Sequence, residues 1–124
     1  MSDSSVLDPQ AIENLRALNP GDNDEFLREI AGIFMEDTPK RLGELDTSLA
    51  AGDIPRFTRA AHSIKGSSAN IGATSLRTVA ERLEHHTRQH GLAGVTAMVA
   101  EVKAEYGRAE TALRALIGAG PSAA

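Results

Sequence analysis

The 124 residues suffice for one domain with a single modest core, and they carry a net charge of −4 with acids and bases interspersed. Aromatics make up 3% of the chain and cysteine is absent, which excludes disulfides and thiolate metal sites and fits a reducing, cytoplasmic setting. No apolar run approaches the roughly 20 residues of a membrane span, no signal-peptide pattern opens the chain, and no basic footprint offers itself to nucleic acid.

Five helices are expected. Asp8 as N-cap and Pro9 at the first helical position open a short one, with Leu7 and Ile12 spaced for a hydrophobic staple, and Asn19-Pro20-Gly21 ends it. The second starts near Asp22, with Glu25 three residues on completing a box-like cap. Its apolar side is read as Phe26, Ile30, Ile33, Phe34, Leu42, Leu45 and Leu49. Pro39 interrupts this pattern by removing a donor and crowding the preceding turn. A kinked but continuous helix to about Ala50 is expected, with two separate helices as the alternative.

Gly52-Asp53 stops that helix and caps the third, in which Pro55 is tolerable in the first turn. Gly72 closes the third, and Thr74 or Ser75 is read as the cap of the fourth, whose buried stripe is Leu76, Val79, Ala80 and Leu83. Gly91 ends the fourth after His90. Val95, Met98, Val99, Val102, Tyr106, Ala109, Leu113 and Leu116 run at near-heptad spacing through the fifth despite Gly94 and Gly107. Four long helices with short connections imply an all-α, antiparallel up-down four-helix bundle, the short extra N-terminal helix lying across one end. The bundle is expected to occupy residues 1–117, leaving 118–124 as a flexible Gly/Ala-rich tail. A monomer is expected, and the initiating Met1 with this tail leans towards a free-standing protein.

The third helix concentrates the chemistry. His62, Lys65 and Gly66 sit at i, i+3 and i+4 and share one face. Phe57, Ala61, Ile64, Ser68 and Ile71 form the opposite, largely apolar face. An imidazole is thereby exposed beside a positive charge, with bare backbone where a side chain would normally screen it. A helix-interior glycine costs about 1 kcal/mol relative to Ala, so Gly66 asks for a reason. If the third and fourth helices form a hairpin turning near Gly72 and Ala73, residues equidistant from the turn lie level. His62 is then level with Glu84, Lys65 with Glu81, and Thr58 with Arg88. A carboxylate accepting from Nδ1–H would hold the neutral imidazole with Nε2 free to attack. Glu84 and Arg88 are equally an i, i+4 surface pair.

The segment from Ala60 to Ala73, with His62, Lys65, Gly66, the small Ser67 and Ser68, and Gly72-Ala73, closely resembles the conserved segment of histidine-containing phosphotransfer (HPt) domains of bacterial and eukaryotic phosphorelays. The resemblance extends roughly from Leu7 to Leu116 and is most specific between Phe57 and Arg88. It implies that His62 accepts a phosphoryl group from a receiver-domain aspartyl phosphate and passes it to another receiver aspartate. Lys65 would offset the phosphoryl charge, Gly66 would leave room for the partner's active-site loops, and Glu84 would take the orienting role. Arg59, Ser63, Ser67, Ala69 and Arg88 are the expected edge of the docking face. The implied partners are response-regulator receiver domains and a sensor or hybrid histidine kinase. No cofactor is expected, magnesium belonging to the receiver. The chain has no nucleotide loop and no G-K-[ST] cradle, so it is read as a shuttle without kinase activity of its own.

Two rival readings stand beside this one. The same fold could dock receivers or kinases without being phosphorylated. Alternatively His85, His86 and His90, with His86 and His90 at i, i+4, could bind zinc, although no nearby Cys, Asp or Glu obviously completes such a site and only Glu84 and Glu101 are conceivable further ligands.

Overall fold

Two-residue turns decide this architecture. A computed structural model describes residues 6–18, 21 and 23–118, which form α1 (Pro9–Leu18), α2 (Glu25–Ala51), α3 (Ile54–Ile71), α4 (Thr74–His90) and α5 (Thr96–Leu116). Between α2 and α3 stand only Gly52 and Asp53, and between α3 and α4 only Gly72 and Ala73. Gly52 and Gly72 both adopt left-handed φ, +69° and +77°, as helix C-caps whose backbone N–H groups return to the preceding turn. Connections this short force antiparallel neighbours. Helix α3 packs between α2 and α4, and α5 closes the bundle against both α4 and α2.

The apolar stripes meet in one core. Leu27, Leu45, Phe57, Ile64, Ile71, Leu76, Leu83, Val102 and Leu113 are fully buried. Each large side chain so buried contributes about 1.5–3 kcal/mol relative to exposure. The α3 face expected to be apolar is entirely inside, and so is the α4 stripe, extended by Glu84 and Thr87. On α2 the stripe runs instead through Leu27, Ala31, Phe34, Thr38, Leu42, Leu45 and Ser48. Phe26 and Ile30 are half-buried, and Ile33 is a correction: it lies outside the core at 56% exposure. Its position one before Phe34 turns it about 100° from the buried stripe.

The helix starts bring two further corrections. Asp22 lies outside the described residues, as do Asn19 and Pro20. Helix α2 begins at Glu25, preceded by Asp24 in a left-handed conformation (φ 64°) that makes no side-chain cap. The Asp24 carboxylate is engaged by Arg16 of α1, at 3.1 and 3.2 Å, and is thereby drawn away from the helix end. At α4 the cap position belongs to buried Ala73, and Thr74 is already helical. By contrast Asp8 and Asp53 cap with their carboxylates, accepting from the Gln10 and Arg56 N–H groups. Residues 1–5 and 119–124, including most of the expected tail, lie outside the described residues.

Helix α2 continues through Pro39 without a break. Proline has no N–H, so the carbonyl four residues back, that of Met35, loses its helical donor. Tyr106 of α5 supplies a replacement: its hydroxyl donates to the Met35 carbonyl at 3.2 Å, with its ring 5.6 Å from that of Phe34. The Lys103–Asp46 ion pair, 2.8 Å, adds a second α5–α2 tie. Helix α1 sits across the end of the bundle that holds the α3–α4 turn. The Asp8 N–H donates to the Gly72 carbonyl at 2.8 Å, and a Cβ on Gly72 would lie 2.7 Å from the Ala11 Cβ.

Candidate functional site

His62 projects from the middle of α3, on the side opposite Phe57, Ala61 and Ile64, with its side chain 59% exposed. Glu84 comes up beside it from α4, where it replaces an apolar residue at the edge of the buried stripe, and its side chain is only 7% exposed. Nδ1 of His62 lies 2.9 Å from Glu84 Oε2. Nδ1 is the donor, because an ionised carboxylate can only accept. In the neutral imidazole this puts the proton on Nδ1 and the lone pair on Nε2, which has no protein partner among the described residues.

Two cations converge on the same carboxylate. Arg88 Nη2 lies 2.6 Å from Glu84 Oε2 and Lys65 Nζ lies 3.1 Å from Oε1. Burial by itself pushes the Glu84 carboxyl up. The hydrogen bonds from Arg88 and His62 and the ion pair with Lys65 outweigh that and bring it down from 4.5 to about 2. Glu84 is thus an anion throughout the physiological range. Its backbone is also tied, since Thr87 Oγ1 donates to the Glu84 carbonyl at 2.9 Å and stands 2.9 Å from Thr58 Oγ1 across the hairpin.

The structure brings His62, Lys65, Glu84 and Arg88 into one cluster. The expected register of Lys65 with Glu81 is corrected: Lys65 reaches Glu84, and Glu81 pairs with Arg77. Thr58 bonds Thr87, with Arg88 lining the same depression. Gly66 is exposed, and a Cβ there would meet nothing within 4 Å, so close helix packing is not its reason. Arg59 lines the open depression beside His62 together with Ile54, Pro55, Thr58, Thr87 and Arg88. Ser63 and Ser67 are half-buried and Ala69 is exposed, and none of the three enters the cluster. Thr87 is a residue that sequence reasoning missed. Its signal was a hydroxyl at the next position of the Leu76, Ala80, Leu83 stripe.

The histidines of α4 are arranged differently. His86 Nε2 donates to the Ala93 carbonyl at 2.6 Å, and its ring centroid is 5.0 Å from that of His90. Among the described residues no three His, Cys, Asp or Glu side chains are placed to hold a metal ion. No helix among them is long and apolar enough to cross a membrane.

Known proteins resemble this chain in both fold and sequence. The chain is 27% identical over 101 residues to multistep phosphorelay regulator 1 of Schizosaccharomyces pombe, covering 82% of this chain but only 34% of that protein, so the chain spans about a third of its length. It is 26% identical over 102 residues to histidine-containing phosphotransfer protein 4 of Arabidopsis thaliana, covering 81% and 80%. The crystal structure of histidine-containing phosphotransfer protein B from Pseudomonas aeruginosa superposes with a TM-score of 0.81 at 27% identity, covering 90% of this chain and 94% of that one. A phosphotransfer protein from Medicago truncatula, at 23% identity, shares the fold with a TM-score of 0.80. A family model of the Hpt domain matches residues 29–112, well over half of the chain and all four residues of the cluster. The chain belongs to the Hpt domain family.

Proposed function

We propose that this chain is a phosphorelay intermediate carrying a phosphoryl group on His62 Nε2. The observation that carries this reading is the half-tied imidazole: Nδ1 is held by Glu84 at 2.9 Å while the ring is 59% exposed. In the forward step the Nε2 lone pair attacks phosphorus of an aspartyl phosphate on a receiver domain. The N–P bond forms as the P–O bond breaks, and the aspartate departs as a carboxylate. The Nδ1 proton stays where it is, so the phosphorylated ring is cationic and faces the Glu84 anion. In the second step an aspartate of another receiver attacks phosphorus, the N–P bond breaks, and Nε2 recovers its lone pair. No proton moves in either direction, which suits a reversible carrier.

Phosphoryl transfer asks a protein chiefly for alignment and charge stabilisation. Lys65 supplies positive charge on the His62 face and Gly66 leaves that face open to a second protein. The chain is proposed to act in the cytoplasm, as a monomer, without kinase activity of its own. Magnesium and the carboxylates that hold it are assigned to the receiver. A sensor or hybrid histidine kinase is the expected ultimate source of phosphate. The test is transfer from a panel of phosphorylated receiver domains to wild type and to His62→Gln. Acid-labile, base-stable label on wild type alone supports the reading. Binding of receivers by both proteins with label on neither would leave docking as the function.

A further inference from the structure

The turn Gly72-Ala73 fixes the register of α3 and α4 at one end of their hairpin only. Any splaying or sliding of the two helices grows with distance from that turn, and the reactive pair is far out along them. His62 stands ten residues before Gly72 and Glu84 eleven after Ala73, roughly 15 Å along each helix at 1.5 Å per residue. Buried Phe57, Ile64 and Leu83 draw the helices together at this level. Apolar attraction is non-directional, however, and does not by itself set one polar side chain against another.

A directional contact lies just beyond the pair. Thr58 and Thr87, each fourteen residues from the turn, place their hydroxyls 2.9 Å apart. Thr87 has one hydroxyl proton and gives it to the Glu84 carbonyl at 2.9 Å, so Thr58 is the donor between the two hydroxyls. The bonds thus run from α3 through Thr87 to the backbone of Glu84. Thr58 lies one turn before His62 and Thr87 one turn after Glu84, so the reactive pair is bracketed between the hairpin turn and this clasp. Buried Ser48 and Ser68 bond carbonyls of their own helix, whereas Thr87 also bonds across to another. Thr87 is 2% exposed and continues the stripe of Leu76, Ala80 and Leu83, where a valine of the same shape would bury a methyl group instead. Core packing therefore gives no reason for a hydroxyl at this position.

We propose that the Thr58–Thr87 hydroxyl pair is a positioning element for phosphoryl transfer, holding the Glu84 carboxylate where it fixes the His62 ring. The proposal rests on the relay reading given above. Neither threonine touches the phosphoryl group, and both act through Glu84. Hydrogen bonds are directional and weaken steeply when bent or stretched, so a small displacement of α4 that frees the imidazole must first break the clasp. In-line transfer is sensitive to such freedom, because a misplacement of about 1 Å can slow a reaction on the order of a hundredfold. Loosening Glu84 while leaving it in place has a smaller effect than removing it.

The experiment compares wild type with Thr87→Val, which keeps the shape and removes the hydroxyl, Thr87→Ser, which keeps the hydroxyl, and Thr58→Val, which removes the donor at a half-buried position. Rapid-quench transfer from a phosphorylated receiver that labels wild type gives the maximal rate and the half-saturating receiver concentration. The tautomer of His62 is followed by 15N NMR. Both valine variants are expected to lower the maximal rate roughly fivefold, with half-saturation within about twofold of wild type, and Thr87→Ser to retain most of the rate. The His62 Nδ1–H tautomer, dominant in wild type, gives way to a mixture in the valine variants. In a Glu84→Ala background Thr87→Val slows transfer no further, because no carboxylate is left to position. Wild-type rate and tautomer in both valine variants overturn the proposal, as does a Thr87→Ser as slow as Thr87→Val. A full additional loss in the Glu84→Ala background, or a change in half-saturation alone, also overturns it. Should Thr87→Val fail to fold, Thr58→Val decides by the same readouts. If no receiver labels wild type, the relay reading fails separately, and the His62 tautomer in the valine variants still decides whether the clasp orients the ring.

Discussion

Glu84 and His62, twenty-two residues apart in sequence, meet at 2.9 Å across the α3–α4 hairpin. The same carboxylate receives Arg88 and Lys65, so one buried anion is shared by the reactive ring and two cations. Charge on Glu84 and geometry at His62 are therefore separable by mutation. Glu84→Gln keeps an acceptor for Nδ1–H but loses the charge opposite the phosphorylated ring. We expect the transfer rate to fall about fivefold, in line with the difference of about 1 kcal/mol between charge-assisted and neutral hydrogen bonds. Glu84→Ala also frees the ring to rotate and should cost about a hundredfold. Rapid-quench measurement of label on His62 checks both.

Acid should loosen the fold through the same residue. The folded Glu84 carboxyl titrates at about 2 against an ordinary 4.5, so its ionisation favours the folded state. That stability is complete above about pH 4.5 and is lost as pH falls towards about 2, amounting to about 3 kcal/mol at most. Urea melts across this window should show the decline in wild type and a flatter profile in Glu84→Gln.

Two glycines separate function from folding. Gly66 has open space around it, so Gly66→Ala should stabilise the helix by about 1 kcal/mol while slowing transfer from receivers. Gly72 has φ +77° and only 2.7 Å between an added Cβ and Ala11, so Gly72→Ala should destabilise by about 2 kcal/mol or more and displace α1. Thermal melts alongside transfer assays distinguish the two patterns.

Pro39 and Tyr106 should be coupled. Tyr106→Phe leaves the Met35 carbonyl without a donor and should cost about 1–2 kcal/mol. Pro39→Ala restores a backbone N–H to that carbonyl, so in its background the cost of Tyr106→Phe should largely vanish. A double-mutant cycle from denaturant melts measures the difference.

The cluster illustrates what a sequence can and cannot convey. Counting outwards from Gly72 and Ala73 suffices to place Glu84 level with His62, because hairpin turns constrain both helices to a common register. The same count misassigns Lys65 to Glu81. Side chains on helices lean towards their own N-terminus, and on antiparallel helices those leans converge, carrying Lys65 and Glu84 towards one another by about a turn. Ile33 was misread because an apolar residue beside a stripe looks like part of it. Asp24 escaped notice because its partner, Arg16, lies on another helix. The helices themselves were legible from periodicity and from Gly52, Gly72 and Gly91, where local conformational demands coincide with the global fold. The proline-tyrosine compensation was invisible because it joins residues sixty-seven positions apart through a carbonyl that sequence does not display.

His62 is the ninth residue of an eighteen-residue helix whose inner face is buried along its length. A nucleophile mounted on a loop can adjust to a visitor, but one riveted to such a girder cannot. All of the steering needed for in-line attack therefore falls on the approaching protein. A partner that lands a single ångström out of register finds no compliance in its host, and mechanical stiffness becomes a filter on who may exchange signals with this bundle.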